Sequence, residues 1–146
     1  MTQDRRLMVL FLCTGNSCRS QMAEGWSRAL KGDVIEPHSA GIEAHGMNPR
    51  AVQIMAEAGV DLSEQYSKTL DAVQDIPFDY VVTVCDNARE SCPLFPGRVK
   101  MVHRSFEDPA QATGTEEEIM AVFRRVRDEI REFVEVMPDN LEEPGS

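Results

Sequence analysis

Residues 7–30 read LMVLFLCTGNSCRSQMAEGWSRAL, and this stretch predicts a buried strand, a loop and a helix in immediate succession. Its first six residues form a continuous apolar run, which is typical of a strand covered on both faces of a sheet. Residues 20–30 place Met22, Trp26 and Leu30 at four-residue spacing, which indicates one apolar helix face. A strand that leads through a short loop into a helix starts a β-α-β unit, so the stretch favours an α/β fold.

Three further strands are predicted downstream of this unit. Residues 38–42 form a short strand pattern with a glycine near its end, and residues 80–85 and 99–103 are apolar, β-branched runs preceded by proline or glycine. Strands that alternate with helices form a mostly parallel sheet. We therefore expect the carboxyl ends of these strands to meet at one edge of a sheet.

Two further helices carry start signals. Asn48 and Pro49 are an N-cap residue and a first-turn proline, and the helix that they open is expected to stop at Gly59. Thr115 and Glu118 form a capping-box pattern for the last helix. The residues expected to face the core are Val52, Met55 and Ala56 in the former, and Ile119, Phe123, Val126, Ile130, Phe133 and Met137 in the latter.

The chain has 146 residues, 42% of them apolar, and a formal net charge of −10. This length suits one domain, which we place at residues 1–137, with a flexible acidic tail at residues 138–146. No apolar run approaches the ~20 residues that a membrane-spanning helix needs. The negative charge argues against nucleic acid or an anionic membrane surface as a partner, because both bind basic patches.

The chain contains four cysteines, and its N-terminus shows no secretory signal. We therefore expect a cytoplasmic protein, in which thiols stay reduced and cysteines are reactive or metal-binding. A zinc site made by Cys13, Cys18, Cys85 and Cys92 is one alternative, but the interval from Cys85 to Cys92 is wide and both pairs adjoin predicted strands. The three histidines show no ligand spacing, so we predict no metal site.

The loop after the first strand has the composition of an oxyanion site, at an edge where parallel sheets bind ligands. Gly15 and Asn16 tolerate positive φ, so successive amides can turn inward at the start of the helix. Arg19 adds a planar fork of donors that matches two oxygens of a tetrahedral anion. The predicted oxyanion-binding residues are Thr14, Gly15, Asn16, Ser17, Cys18, Arg19 and Ser20.

Cys13 lies at the mouth of this loop and is the predicted nucleophile. The loop amides, the helix dipole and Arg19 all favour its thiolate form, and Ser20 can donate its hydroxyl hydrogen to the sulfur. An oxygen that leaves the attacked anion must be protonated, so a carboxylic acid should face Cys13. Asp108, before Pro109, is the candidate, and Glu107 is its competitor.

A second pair of cysteines lies far along the chain. Cys85 ends the third predicted strand, so it should lie on the same sheet edge as the Cys13 loop, and Cys92 follows after six intervening residues. The pair can close a small disulfide if the segment between them moves, since bonded cysteines need α-carbons within roughly 7 Å. Hydrolysis at Cys13 would need neither of these thiols.

From Cys13 to Glu24 the chain resembles the low-molecular-weight protein tyrosine phosphatase superfamily, in which Cys, five residues and Arg precede Ser or Thr and a Met-Ala-Glu helix start. The resemblance implies a single-domain, three-layer α/β/α sandwich with a four-stranded parallel sheet. It also implies that Asp108, as part of an Asp-Pro pair, is the acid. One activity implied by it is the hydrolysis of phosphomonoesters through a phosphocysteine at Cys13.

Over nearly the whole chain, up to about Val134, the sequence resembles the thioredoxin-coupled arsenate reductases of that superfamily. The segments that carry this resemblance are residues 13–21, 39–43, 45–46, 48–49, 83–93 and 106–110. Gln21 stands where phosphatases usually have proline, and Ala110 stands where they commonly have an aromatic residue. We therefore favour arsenate reduction over hydrolysis.

The resemblance implies that arsenate is reduced to arsenite, with phosphate and sulfate as competing anions. Cys13 attacks arsenic, Asp108 protonates the leaving oxygen, and Cys85 then attacks the Cys13 sulfur, so that arsenite leaves and a disulfide remains. Cys92 next pairs with Cys85, and thioredoxin reduces their disulfide. One dithiol that becomes one disulfide supplies the two electrons required. No bound cofactor is implied, and we expect a monomer.

Many of these reductases hold potassium near the loop with an asparagine, a glutamate, a serine and an aspartate. Asn16, Glu24 and Ser39 match three of these ligands, whereas Lys68 stands at the aspartate position. We expect the Lys68 ammonium to take the place of the ion and to orient Asn16. These four residues and Ser20 are thus predicted to stabilise the loop without potassium.

Overall fold

The computed structural model describes residues 6–91 and 99–141 of the chain. Within these ranges four strands alternate with four helices: β1 (Leu7–Cys13), α1 (Arg19–Lys31), β2 (Ile35–Gly41), α2 (Pro49–Glu57), β3 (Tyr80–Thr83), α3 (Asp86–Ser91), β4 (Lys100–His103) and α4 (Glu116–Glu135). Short 3-10 helices lie at Leu70–Val73, Pro109–Gln111 and Asp139–Leu141. The four predicted strands and three predicted helices are confirmed in order, whereas α3, between β3 and β4, was not predicted.

The described strands form one parallel sheet in the order β2-β1-β3-β4, which confirms the predicted α/β fold. Residues 9–12 of β1 are fully buried, and because alternate side chains of a strand point to opposite faces, both faces of the sheet are covered. The register pairs Leu12 with Thr83, and Thr83 with His103. The carboxyl ends of β1, β3 and β4 therefore lie at one edge.

Helices α1 and α4 pack against each other, and α1 also packs on β1 and β2. The indole of Trp26 joins the two helices, since its Nε1 donates to Arg127 O at 3.1 Å. Helix α4 begins with the predicted capping box, in which Thr115 and Glu118 accept each other's backbone N–H. Within the described ranges, no helix combines the length and the apolar character that crossing a membrane requires.

Helix α2 begins at the predicted Asn48 cap, whose Oδ1 accepts two backbone N–H groups. Its predicted core face is wrong by one residue, because Val52 is only partly buried and Ala56 is exposed. The fully buried residues of α2 are Ala51, Ile54 and Met55. The packing of α2 against α4 decides this phase, which spacing alone does not determine in so short a helix.

Two apolar residues at element ends also differ from expectation. Leu30, in the last turn of α1, is 38% exposed, although Met22 and Trp26 on the same face are buried. Strand β3 ends at Thr83, so Cys85 lies in the turn that leads to α3. Cys85 nonetheless stays at the predicted edge of the sheet, because only one residue separates it from the end of β3.

The predicted acidic tail, residues 138–146, overlaps the packed part of the chain. Leu141 is fully buried in the 3-10 helix Asp139–Leu141, and Asn140 Nδ2 donates to Phe133 O at 3.0 Å. An apolar side chain that is removed from water holds its segment on the domain. The predicted boundary at residue 138 is therefore wrong, and packed chain continues to Leu141. Residues 142–146 lie outside the described residues.

Candidate active site

The loop between β1 and α1 turns its carbonyl groups away from its concave side. On the outer side, these carbonyls accept hydrogen bonds from the segment that follows β2. The bonds are from Ile42 N to Cys13 O at 3.2 Å, Glu43 N to Thr14 O at 2.8 Å, His45 N to Gly15 O at 2.9 Å and Asn48 N to Ser17 O at 2.9 Å. In a trans peptide the N–H points opposite to the C=O. The following amides are thus directed inward, which makes an anion cradle. Sequence reasoning missed this role of residues 42–48.

Asn16 is the turning point of the loop. Its φ of +49° is left-handed, a conformation that asparagine adopts more readily than most residues. Its carbonyl accepts from Gln21 Nε2 at 3.0 Å, its Oδ1 accepts from Lys68 N at 2.8 Å, and its Nδ2 donates to Ser20 Oγ at 2.8 Å. The buried Asn16 side chain therefore joins the loop to the start of α1 and to the backbone of Lys68.

Cys13, at the end of β1, is buried at the base of this cradle. Its sulfur lies 2.9 Å from Ser20 Oγ. Because Ser20 Oγ already accepts from Asn16 Nδ2, its own hydrogen is free to point at the sulfur. This hydrogen bond fixes the position of the sulfur at the base of the cradle. The predicted nucleophile and its hydrogen-bond donor are thus brought together.

Arg19 connects the loop to the segment after β4. Its Nη1 donates to Phe106 O at 3.0 Å, and its Nη2 lies 3.5 Å from Asp108 Oδ2. The other oxygen of Asp108 caps the 3-10 helix Pro109–Gln111 by accepting from Ala110 N. The Asp108 carboxyl is therefore fixed beside the anion cradle.

Glu107, the competing acid, faces a different part of the protein. Its Oε1 accepts from Arg125 Nη2 of α4 at 2.6 Å, and its side chain is 57% exposed. A carboxylate held in a surface ion pair with α4 is not available to protonate a group in the loop. The geometry favours Asp108 as the candidate acid.

Cys85 is buried beside the Cys13 loop. Its Sγ lies 3.4 Å from Thr14 Oγ1, and Ala88 N donates to the same sulfur at 3.4 Å. Thr14 Oγ1 in turn accepts from Asn87 Nδ2 at 2.9 Å. Because Thr14 follows Cys13 directly, one side chain links the second thiol to the nucleophile loop. Cys92, the third predicted thiol, lies outside the described residues.

His103 joins β4 to the start of α3. Its Nδ1 lies 2.7 Å from Thr83 Oγ1, and its Nε2 lies 3.0 Å from Asp86 Oδ1. Asp86 follows Cys85 directly, so this chain of contacts anchors the turn that carries the second thiol. Sequence reasoning did not assign His103 a role, although its position at the end of the fourth predicted strand was a usable signal.

Cys18 stays a thiol within the loop. Burial raises its pKa, the negative charges of Asp108 and Cys13 raise it further, and Arg19 opposes them. A thiol held in its neutral form is a poor nucleophile. Of the cysteines that the structure describes, Cys13 and Cys85 therefore remain the reactive candidates.

The loop-stabilising residues meet beneath the cradle in a different manner from that predicted. Glu24 accepts from Ser39 Oγ and from Arg28 Nη2, both at 2.5 Å. Lys68 orients Asn16 through its backbone N–H, while its ammonium donates to Tyr66 O at 3.0 Å. The prediction that the Lys68 ammonium orients Asn16 is therefore wrong, because β-strand-like pairing near Gly41 presents the backbone of residue 68 to the loop.

The surroundings of Lys68 disfavour the charged form of its side chain. Burial lowers the pKa of its ammonium, the nearby Arg28 lowers it too, and Glu24 opposes both. Two cationic side chains thus already lie near the Glu24 carboxylate. Among the residues that the structure describes, no three His, Cys, Asp or Glu side chains cluster as a metal site.

Residues 8–144 match the family described as low molecular weight phosphotyrosine protein phosphatase. The chain is 57% identical over 123 residues to a protein of Halalkalibacterium halodurans named arsenate reductase, a match that covers 84% of this chain and 88% of the relative. A solved arsenate reductase in its phosphate-binding state superposes with a TM-score of 0.72 at 33% identity, covering 92% of this chain and 95% of that one. A low molecular weight tyrosine phosphatase from T. tengcongensis has the same TM-score at 26% identity, over 92% and 99% of the two chains.

Proposed function

This chain belongs to the low molecular weight phosphotyrosine protein phosphatase family, and we propose that it acts as a monomeric arsenate reductase that converts arsenate to arsenite. The observation that carries the proposal is the buried Cys85 thiol, held 3.4 Å from Thr14 Oγ1 of the nucleophile loop. A hydrolase needs only the nucleophile, the cradle and the acid, whereas reduction needs a second sulfur beside the first. Relatives named arsenate reductase support the same function.

In the first step, arsenate lies in the cradle, held by the inward amides and Arg19. The Cys13 thiolate attacks arsenic, and Asp108 gives a proton to the departing oxygen, which leaves as water. The product is a covalent thio-arsenate in which arsenic is still pentavalent. Stabilisation of the anion by fixed backbone donors lowers the barrier, because the donors need no rearrangement as charge develops.

In the second step, Cys85 attacks the Cys13 sulfur. The bond between sulfur and arsenic breaks, and its electron pair remains on arsenic, which becomes trivalent and leaves as arsenite. A disulfide between Cys13 and Cys85 remains, so the two electrons come from these two thiols. The contacts of Thr14 and Ala88 with the Cys85 sulfur support an attack from this position.

In the third step, Cys92 attacks the Cys85 sulfur and releases Cys13 as a thiolate. The new disulfide is then reduced by thioredoxin. Bonded cysteines need α-carbons within about 7 Å. We infer that the polar segment between the two cysteines, residues 86–91, moves to let Cys92 reach the Cys85 sulfur. This chemistry requires a compartment that keeps thiols reduced, so a cytoplasmic location is part of the proposal.

A coupled assay tests the function directly. Purified protein is mixed with arsenate, thioredoxin, thioredoxin reductase and NADPH, and both NADPH oxidation and arsenite are measured. We expect about one NADPH consumed per arsenite formed, since each turnover transfers two electrons. Glutaredoxin with glutathione replaces thioredoxin in the control reaction and is expected to support much slower turnover. Absence of arsenate-dependent NADPH oxidation would contradict the proposal.

Hydrolysis of phosphomonoesters is the second candidate function. It is favoured by the contacts of Arg19 with Phe106 and Asp108, which complete a phosphatase-type site without any use of Cys85. The same cradle accepts phosphate, and phosphate and sulfate are expected to compete with arsenate. We expect slow hydrolysis of a small aryl phosphate through a phosphocysteine at Cys13, alongside arsenate reduction.

Replacing Asp108 by asparagine should slow thio-arsenate formation by about 100-fold or more, because the leaving oxygen then lacks a proton donor. Asparagine can still accept from Ala110 N and cap the 3-10 helix, so the fold should be retained. The rate of the first step is measured by stopped flow with excess arsenate. Glu107→Gln is the matched control, and equal losses in both variants would contradict the role of Asp108.

We propose that turnover does not depend on potassium. Glu24 is bonded by Ser39 and Arg28, and the Lys68 ammonium lies nearby, so a further cation does not fit among these residues. Turnover is compared in potassium chloride and sodium chloride at constant ionic strength. The two rates are expected to agree, and a several-fold loss in sodium would contradict the proposal.

A further inference from the structure

Gln21 is the third residue of α1, and its side chain is fully buried directly behind the loop. Its Nε2 lies within hydrogen-bond distance of three oxygens: Asn16 O at 3.0 Å, Asn16 Oδ1 at 2.9 Å and Tyr66 O at 3.0 Å. Its Oε1 accepts from Gln65 Nε2 at 2.7 Å. Every polar atom of this amide therefore has a partner, and its two hydrogens serve three acceptors.

The contact with Asn16 O differs from the other contacts of the loop carbonyls. The carbonyls of residues 13, 14, 15 and 17 accept from backbone N–H groups of the segment 42–48, which no single substitution of a side chain removes. The carbonyl of Asn16 is held by the Gln21 side chain. The same amide also holds Asn16 Oδ1, in a residue whose backbone is left-handed.

This contact sets the direction of one donor in the cradle. The peptide group that joins Asn16 to Ser17 has its C=O turned outward to Gln21, so its N–H, on Ser17, points inward. Without Gln21 the buried Asn16 carbonyl loses its hydrogen-bond donor. Rotation of the peptide group would then let this carbonyl accept a hydrogen bond from another donor. That rotation would withdraw the Ser17 N–H and bring a carbonyl oxygen toward the anion, where it repels.

We propose that Gln21 is a positioning residue for tetrahedral oxyanions, which acts by aiming the Ser17 N–H into the cradle. Gln65, which donates to Gln21 Oε1, orients the amide so that its NH₂ group faces the loop. The inference rests on the proposed function only for the location of the oxyanion site. It is therefore tested by the binding of inorganic phosphate in the absence of any reductase partner.

Gln21→Met and Gln21→Glu are the informative variants. Methionine has a similar length and no donor, so phosphate should bind about 10- to 100-fold more weakly, the value of one hydrogen bond to a charged group. An introduced glutamic acid, buried against three oxygens, stays protonated and keeps one donor hydrogen. The affinity of Gln21→Glu should therefore lie between those of wild type and Gln21→Met. Ser27→Ala, a fully buried change on the same helix, is the control.

Phosphate dissociation constants are measured by titration calorimetry of the reduced proteins, well below the melting transition of each variant. The pH profile of Cys13 alkylation, with and without phosphate, gives a second readout that general destabilisation does not move. The graded order of affinities supports the proposal. Binding within about twofold of wild type in Gln21→Met would overturn it, as would equal weakening in Gln21→Met and Ser27→Ala. If the graded order of phosphate affinities holds but the wild-type protein does not reduce arsenate, the role of Gln21 is supported and the proposed function is contradicted.

Discussion

Replacing Cys85 by serine is expected to lower thioredoxin-coupled arsenate reduction by at least about 1,000-fold, as expected when an essential nucleophile is removed. A serine hydroxyl does not attack the Cys13 sulfur at neutral pH, so arsenic would stay pentavalent and no arsenite would form. Turnover is measured by NADPH oxidation in the coupled assay. Continued reduction at a rate near that of wild type would exclude Cys85 from the cascade.

Hydrolysis of a small aryl phosphate should survive the same substitution. Cys85 contributes no contact to Arg19 or Asp108, and a serine at its position can still bond Thr14 Oγ1. Cys92→Ser is the matched variant: it should produce about one arsenite per protein and then stop, because the disulfide between Cys13 and Cys85 cannot be passed on. Cys85→Ser should produce none. A parallel loss of hydrolysis would indicate damage to the loop.

Replacing Cys13 by serine should lower the rates of both reduction and hydrolysis by about 10,000-fold or more, because both reactions begin with attack by the same sulfur. Cys18 is not expected to substitute for it, since burial and the charge of Asp108 raise its pKa and keep it a thiol. Initial rates with arsenate and with an aryl phosphate measure the two losses. Substantial reduction by Cys13→Ser would move the nucleophile to another cysteine.

Phosphate binding should persist in Cys13→Ser. The donors of the cradle are backbone amides and the Arg19 guanidinium, none of which the substitution changes. Removal of the thiolate also removes a negative charge that repels the anion, so the affinity should equal or exceed that of wild type. Calorimetric titration with phosphate separates this result from unfolding, because an unfolded loop has no oriented amides and would bind nothing.

The order of elements, except for α3, was predictable from residues that act locally. The apolar run of β1, the Asn48 cap and the capping box of Thr115 and Glu118 each stabilise an element through neighbours in sequence, and the structure has all three. The phase of α2 was not predictable in the same manner, because its buried face depends on α4. The burial of Leu141 was missed for a similar reason, since Leu141 joins the buried core of the whole domain.

Within the site, the identity of the loop was predictable but its support was not. Cys13 and Arg19 are separated by five residues that must turn tightly, and this composition indicates an anion cradle. The outward carbonyls, however, are bonded by residues 42–48, and the Asn16 side chain by a backbone N–H of Lys68. Backbone donors leave no signature in side-chain identity, so no pattern of residue types predicted them.

The sequence by itself determined the fold class and the candidate chemistry: a nucleophile loop after a buried strand, an Asp-Pro acid and further cysteines. The tertiary structure decided which of these groups meet. Thr14 and Cys85 are 71 residues apart, yet they touch because β3 lies directly beside β1 in the parallel sheet. Asp108 rather than Glu107 faces the cradle because Arg19 bonds the former and Arg125 the latter. Residue types and their spacing set local geometry, whereas strand order and helix packing bring distant side chains within reach of one another.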